Sequence, residues 1–114
     1  MSGANLEFGS SRSVMMEQVL FRPQIRTLAG NVTLVVKSPT LQVMDPGGAA
    51  RTVTLPAEAD SEGLMFIVAN TADAAEIITI QDDGLNAIAT PTQNETAIVV
   101  CDGVNWHGLV GADA

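Results

Sequence analysis

At 114 residues, 46% of them hydrophobic, the chain is long enough and apolar enough to bury a core as one domain, and it is not the composition of a disordered polymer. Its formal net charge of −8 at pH 7 repels phosphate backbones and so excludes nucleic acid as an expected partner, and a single cysteine excludes an internal disulfide. With only 16% charged residues, ten glycines and five prolines, turns are favoured over long, charge-laced helices.

Residues 1–30 differ from all that follows. They hold Arg12, Arg22 and Arg26, begin with small polar residues, and show neither a period of two nor one of 3.6. Ser13 to Phe21 has the makings of one or two helical turns with Ser13 as N-cap, but Pro23 limits them. The expected state is an extended N-terminal arm, which at about 3.3 Å per residue reaches roughly 100 Å when fully drawn out. No basic start followed by an apolar run marks a secretory signal, so the sequons at Asn31 and Asn94 are read as accidental.

From Asn31 the pattern changes to short β-rich runs separated by turn residues, predicting an all-β domain over residues 31–111 with a short tail at 112–114. Val32 to Lys37 alternates with Val32, Leu34 and Val36 on one face. Thr40 to Met44 and Arg51 to Leu55 flank a segment in which Pro46 and Gly47 suit the centre of a type II turn, predicting a hairpin. After an acidic loop, Leu64 to Asn70 is apolar almost throughout, which predicts a strand buried on both faces. Its apolar part, Leu64 to Ala69, is the longest apolar run and far too short to span a bilayer, so no membrane is expected.

Ile77 to Gln81 and Leu85 to Ala89 flank Asp82-Asp83-Gly84, a second hairpin signal, and Thr96 to Cys101 pairs with Val104 to Val110 across Asp102-Gly103. The sum is eight short strands, read as an antiparallel β-sandwich or barrel.

The last hairpin contains the only cysteine, tryptophan and histidine. A two-residue turn places Cys101 opposite Val104 and Ile98 opposite His107, so cysteine and histidine fall on opposite faces and do not form a nucleophile–base pair. Trp106 reads as a core anchor and Cys101 as a small buried hydrophobe. Asp82, Asp83 and Asn86 could present oxygens to a cation, but Asp-Gly turns occur for backbone reasons alone. Glu58, Asp60 and Glu62 read as a solvated loop. With no phosphate cradle, catalytic triad order or metal-ligand spacing, neither a cofactor nor an enzymatic activity is expected.

Charge is unevenly spread. The cations Arg12, Arg22, Arg26, Lys37 and Arg51 all lie at or before position 51, against Glu7, Glu17 and Asp45; residues 1–51 therefore carry +2 and the remainder, with ten acids and no cation, −10. The N-terminal part is thus suited to an acidic surface.

Leu55-Pro56, the Gly63 to Asn70 strand closing in asparagine, Ile78 to Gly84, and Cys101-Asp102-Gly103 leading to Trp106 together resemble the β modules of tailed-phage virion proteins, over roughly Val53 to Leu109, half of the chain. Such modules occur in head decoration proteins and in tail fibres or spikes. The short chain, basic arm and acidic body look most like a capsid decoration, or cement, protein.

The resemblance implies homo-oligomers, trimers being expected, bound to the major capsid protein on the outer head surface of the virion after synthesis in the host cytoplasm. Leu6, Phe8, Val19, Leu20, Phe21 and Ile25 are the expected arm anchors, with Arg12, Arg22 and Arg26 pairing to acidic partners. A tail-fibre, baseplate or receptor-binding module is the alternative.

Overall fold

In the computed structural model, which describes residues 18–112, the β-rich runs form nine strands. They are β1 (Gln24–Thr27), β2 (Val32–Thr33), β3 (Leu41–Asp45), β4 (Arg51–Thr54), β5 (Met65–Asn70), β6 (Ile78–Gln81), β7 (Ala87–Ala89), β8 (Glu95–Cys101) and β9 (Trp106–Ala112). One 3-10 turn, Glu58–Asp60, precedes β5, and no α-helix occurs among the described residues. The all-β expectation holds, and of the sandwich or barrel expected it is the sandwich, with nine strands rather than eight.

Two sheets result. One has five strands in the order β1-β3-β5-β8-β9, the other four in the order β2-β4-β6-β7. From β1 to β6 the chain changes sheet at every step, so successive visits to a sheet run the same way: β1, β3 and β5 pair in parallel, as do β2, β4 and β6. Only the last part, β5-β8, β6-β7 and β8-β9, is antiparallel. The expectation of an antiparallel sandwich is therefore corrected for the first two thirds of the body, which winds as three stacked two-strand coils closed by antiparallel strands.

The Pro46-Gly47 turn shows how this arises. Gly47 adopts φ +80°, as a type II turn requires, and its N–H donates to Asp45 Oδ1 at 2.9 Å. Yet β3 and β4 lie in different sheets, so the expected hairpin is instead an arch between layers. A Cβ at Gly47 would collide with the Leu28 carbonyl oxygen, because the linker from β1 to β2 passes directly against the arch. The first expected strand is also shortened. The Val35 N–H donates to Ser38 Oγ and the Ser38 N–H to the Val35 carbonyl, both at 2.9 Å, and this turn ends the strand before Val36 can alternate.

The core lies between the sheets. Met44, Phe66, Val68, Val99 and Trp106 from the five-stranded sheet meet Val53, Leu55, Ile78, Ile80 and Leu34. Phe66 and Trp106 stack with ring centroids 6.1 Å apart, and Trp106 Nε1 donates to the Pro56 carbonyl at 3.1 Å, which satisfies the polar end of the buried indole. Asn70 is the main buried polar clamp: Nδ2 donates to the carbonyls of Glu76 and Pro91, and Oδ1 accepts from the Ala72 N–H. These bonds fold the segment after β5 back onto the end of the sandwich.

Alternation puts a second set of side chains on each outer face. On the four-stranded sheet these are Thr33, Thr52, Thr54, Thr79 and Gln81, with Gln81 Nε2 donating to Thr54 Oγ1 at 3.0 Å. On the five-stranded sheet they include Leu41, Val43, Met65, Ile67, Ile98 and Val100. β5, expected to be buried on both faces, is buried on one and only half-covered on the other, because no third layer lies above it among the described residues.

Candidate functional site

The stretch with the three singular residues forms the β8-β9 hairpin. Cys101 pairs with Trp106 and Val100 with His107, so the connection is the four residues Asp102 to Asn105 rather than the two expected. The longer loop is set by Asp102, whose Oδ1 accepts from the N–H groups of Val104 at 2.8 Å and Asn105 at 2.7 Å. Cys101 and Trp106 both point inward, and His107 points outward to Asp102 Oδ2 at 2.8 Å. That contact, joined by the two backbone donors, holds the Asp102 carboxyl down at about 2. Cys101 stays a free, buried thiol whose sulfur lies 3.6 Å from the Glu58 carbonyl, and it does not face His107.

The other candidates also resolve into turn chemistry. Asp82 Oδ1 accepts from the Asn86 backbone N–H at 2.8 Å and its carboxylate contacts the Asn86 amide, which together pull its pKa below the ordinary value. The carboxylate thus ties the β6-β7 turn together. Glu58 and Asp60 sit on the 3-10 turn, and Glu62 lies against the β8-β9 loop at Gly103.

An acidic group that linear spacing did not reveal consists of Asp45, Asp73 and Glu76, whose carboxylate oxygens lie within 4.8 Å of one another. The parallel β3-β5 register, with Met44 opposite Asn70, brings the ends of these strands together. Asp45 already accepts from Gly47 N–H, and Glu76 Oε1 accepts from Gly48 N–H at 3.3 Å, so two of the three serve the arch. A shallow depression of about 320 Å³ is lined by Ala75, Ile77, Thr92 and Gln93, none of which is titratable.

The two ends of the sandwich differ. At one end β7 lies against β9, so closely that a Cβ at Gly108 would meet Ile88 side-chain and backbone atoms at 3.0 and 3.1 Å. This end is closed. At the other, β1 and β2 are the outermost strands of their sheets among the described residues, and within these each leaves one row of main-chain groups without a neighbouring strand. Val19, Leu20 and Phe21 run into this open end exposed, and Ile25 on β1 is 72% exposed.

Of the nine expected arm residues, Val19, Leu20, Phe21 and Arg22 precede the body as exposed coil, whereas Leu6, Phe8 and Arg12 lie outside the described residues. Ile25 and Arg26 belong to the sheet itself. Arg26, expected to reach an acidic partner, turns toward the sandwich and donates to Gln42 Oε1 at 3.4 Å, while its buried Nε has no hydrogen-bond partner. The body therefore begins at Gln24, inside the segment expected to be arm. Its signal was faint because β1 contributes only one apolar residue in four.

No family model, curated protein or solved structure matches the chain. No helix among the described residues is long and apolar enough to cross a membrane.

Proposed function

We propose that the protein is a capsid decoration, or cement, protein of a tailed phage, a non-enzymatic component of the outer head surface that binds the major capsid protein through its N-terminal end. The observation that carries this reading is the open end of the sandwich. Two sheet edges that no described strand pairs, a run of exposed apolar residues and the four described cations, Arg22, Arg26, Lys37 and Arg51, all belong to the first half of the chain. The second half carries only acids, so an acidic host surface would accept the first half and repel the second.

The mechanism is strand addition. A partner strand laid along β1 gains main-chain hydrogen bonds, and the side chains on either side of Ile25 fix its register. Pro23, directly before β1, supplies no N–H and limits that pairing to the strand proper. Each contact is small, and repetition over a symmetric shell multiplies it. Such attachment would brace the shell against internal pressure.

A tail-fibre or receptor-binding role is the second reading. What favours it is Leu85, which is 71% exposed at the β6-β7 turn and held at φ +70°, a conformation that bulky residues rarely adopt.

Immunogold labelling of purified particles, scored separately for heads and tails, tests the two. Dense regular label on heads supports decoration, and removal of residues 1–23, which takes away Val19, Leu20, Phe21 and Arg22 but leaves β1, then weakens head binding while the β-sheet circular dichroism persists. Label confined to tail tips moves the assignment to the second reading, and no label on particles overturns both.

A further inference from the structure

We infer that the outer face of the five-stranded sheet packs against the same face of other copies of this chain. Across its middle row Leu41, Ile67, Ile98 and Leu109 stand side by side, with Val43 and Val100 in the flanking rows. The opposite sheet shows what a solvated face of this protein looks like, since threonines and Gln81 fill the corresponding positions there. The contrast lies in the strands themselves. β5 is apolar at every position from Met65 to Ala69, the pattern of a strand covered on both sides, yet the described residues cover only one.

Charge selects the occupant. Two copies of a chain carrying −8 repel across most of their surfaces, and this face is where they approach at least cost: its outward positions hold one acid, Asp45, at an end of β3. Apart from Asp45 and His107 the face offers no charge to an acidic or basic partner, whereas an identical, largely apolar face is complementary to it. Area sets the strength. Five strands at about 4.8 Å spacing and roughly five residues of 3.3 Å give a footprint of about 400 Å² per copy. Two copies then bury on the order of 800 Å², short of the roughly 1,200 Å² at which stable interfaces begin, so association is expected to be weak and reversible. This inference needs only the fold and stands whether or not the capsid reading does.

The test is sedimentation equilibrium of the full chain from about 1 to 200 µM. The unaltered protein is expected to shift from 11.9 kDa toward a multiple of that mass. A Val100→Lys/Leu109→Lys variant is expected to remain monomeric, with a dissociation constant raised at least tenfold and an unchanged circular dichroism spectrum. These side chains are 40% and 60% exposed, so the fold tolerates lysine there, and the added positive charge lowers the net repulsion between copies, which makes loss of association attributable to the face. Leu85→Lys/Val104→Lys changes a leucine and a valine that are more exposed still, at 71% and 73%, outside this sheet face, and is expected to associate like the unaltered chain.

A chain that is monomeric throughout the range overturns the inference and leaves residues 1–17 or a different protein as the cover. Association that survives both lysines on the face also overturns it.

Discussion

The two outer faces of the sandwich are built on the same β geometry from opposite residue types. The four-stranded sheet shows water Thr52, Thr54, Thr79 and Gln81, and the five-stranded sheet shows it Leu41, Ile67, Ile98 and Leu109. Both inner faces meet in one core, so folding the monomer does not require the second set to be apolar. The difference teaches that the core of the described residues uses only the inward half of the five-stranded sheet's hydrophobic patterning, and the proposed self-association gives the other half a role.

The largest effect comes from the layer the faces share. Phe66→Ala removes the ring stacked on Trp106 and is expected to cost about 3–5 kcal/mol, read from chemical denaturation, with both faces lost together. If the outer apolar face instead held the monomer together, Phe66→Ala would cost little more than a surface change. Next is the arch between the sheets. Gly47→Ala imposes a side chain at φ +80° and drives it into the Leu28 carbonyl, for an expected loss of roughly 1–3 kcal/mol from the backbone conformation alone. A loss below about 0.5 kcal/mol would show that the β1-β2 linker moves aside freely.

The exchange of residue types between faces is smaller for stability and sharper for the comparison. Ile98→Thr is expected to weaken self-association while costing the monomer about 1 kcal/mol, and Thr79→Ile to leave self-association unchanged. Equal effects of the two on sedimentation would erase the distinction between the faces.

The smallest effect is at Asp102. Its folded pKa of about 2 lies below the ordinary 3.8, so its carboxylate stabilises the fold fully above about pH 4, and that contribution is lost as pH falls through about 2. Asp102→Asn is therefore expected to flatten the stability profile between pH 4 and 2 and leave the neutral-pH sheet spectrum intact.

How much of this was legible depended on whether a turn closes a hairpin or an arch. Asp82-Asp83-Gly84 and Asp102-Gly103 lie between strands that do pair with each other, and both pairs were legible. Pro46-Gly47 has the dihedral angle its sequence calls for, but turn chemistry fixes the local bend and not the layer the next strand joins, so the parallel coils were not. Uneven coil lengths hid the repeat as well, with Gln24 opposite Gln42 but Leu41 opposite Ile67.

Trp106 was legible as core because one large ring in a small domain has few other places to go. The Asp45, Asp73 and Glu76 group was not, since it exists only through the β3-β5 register. The apolar face had a signal in the unbroken Met65 to Ala69 run, which reports double burial without saying what supplies the second layer.

The most direct test of the docking account is amide hydrogen exchange of the full chain, free and bound to purified capsids, compared at the two edges of the five-stranded sheet. Added protection at Gln24 to Thr27 on β1, with β9 unchanged, is the predicted result. Protection confined to β9, or none at β1, would contradict attachment through the open end.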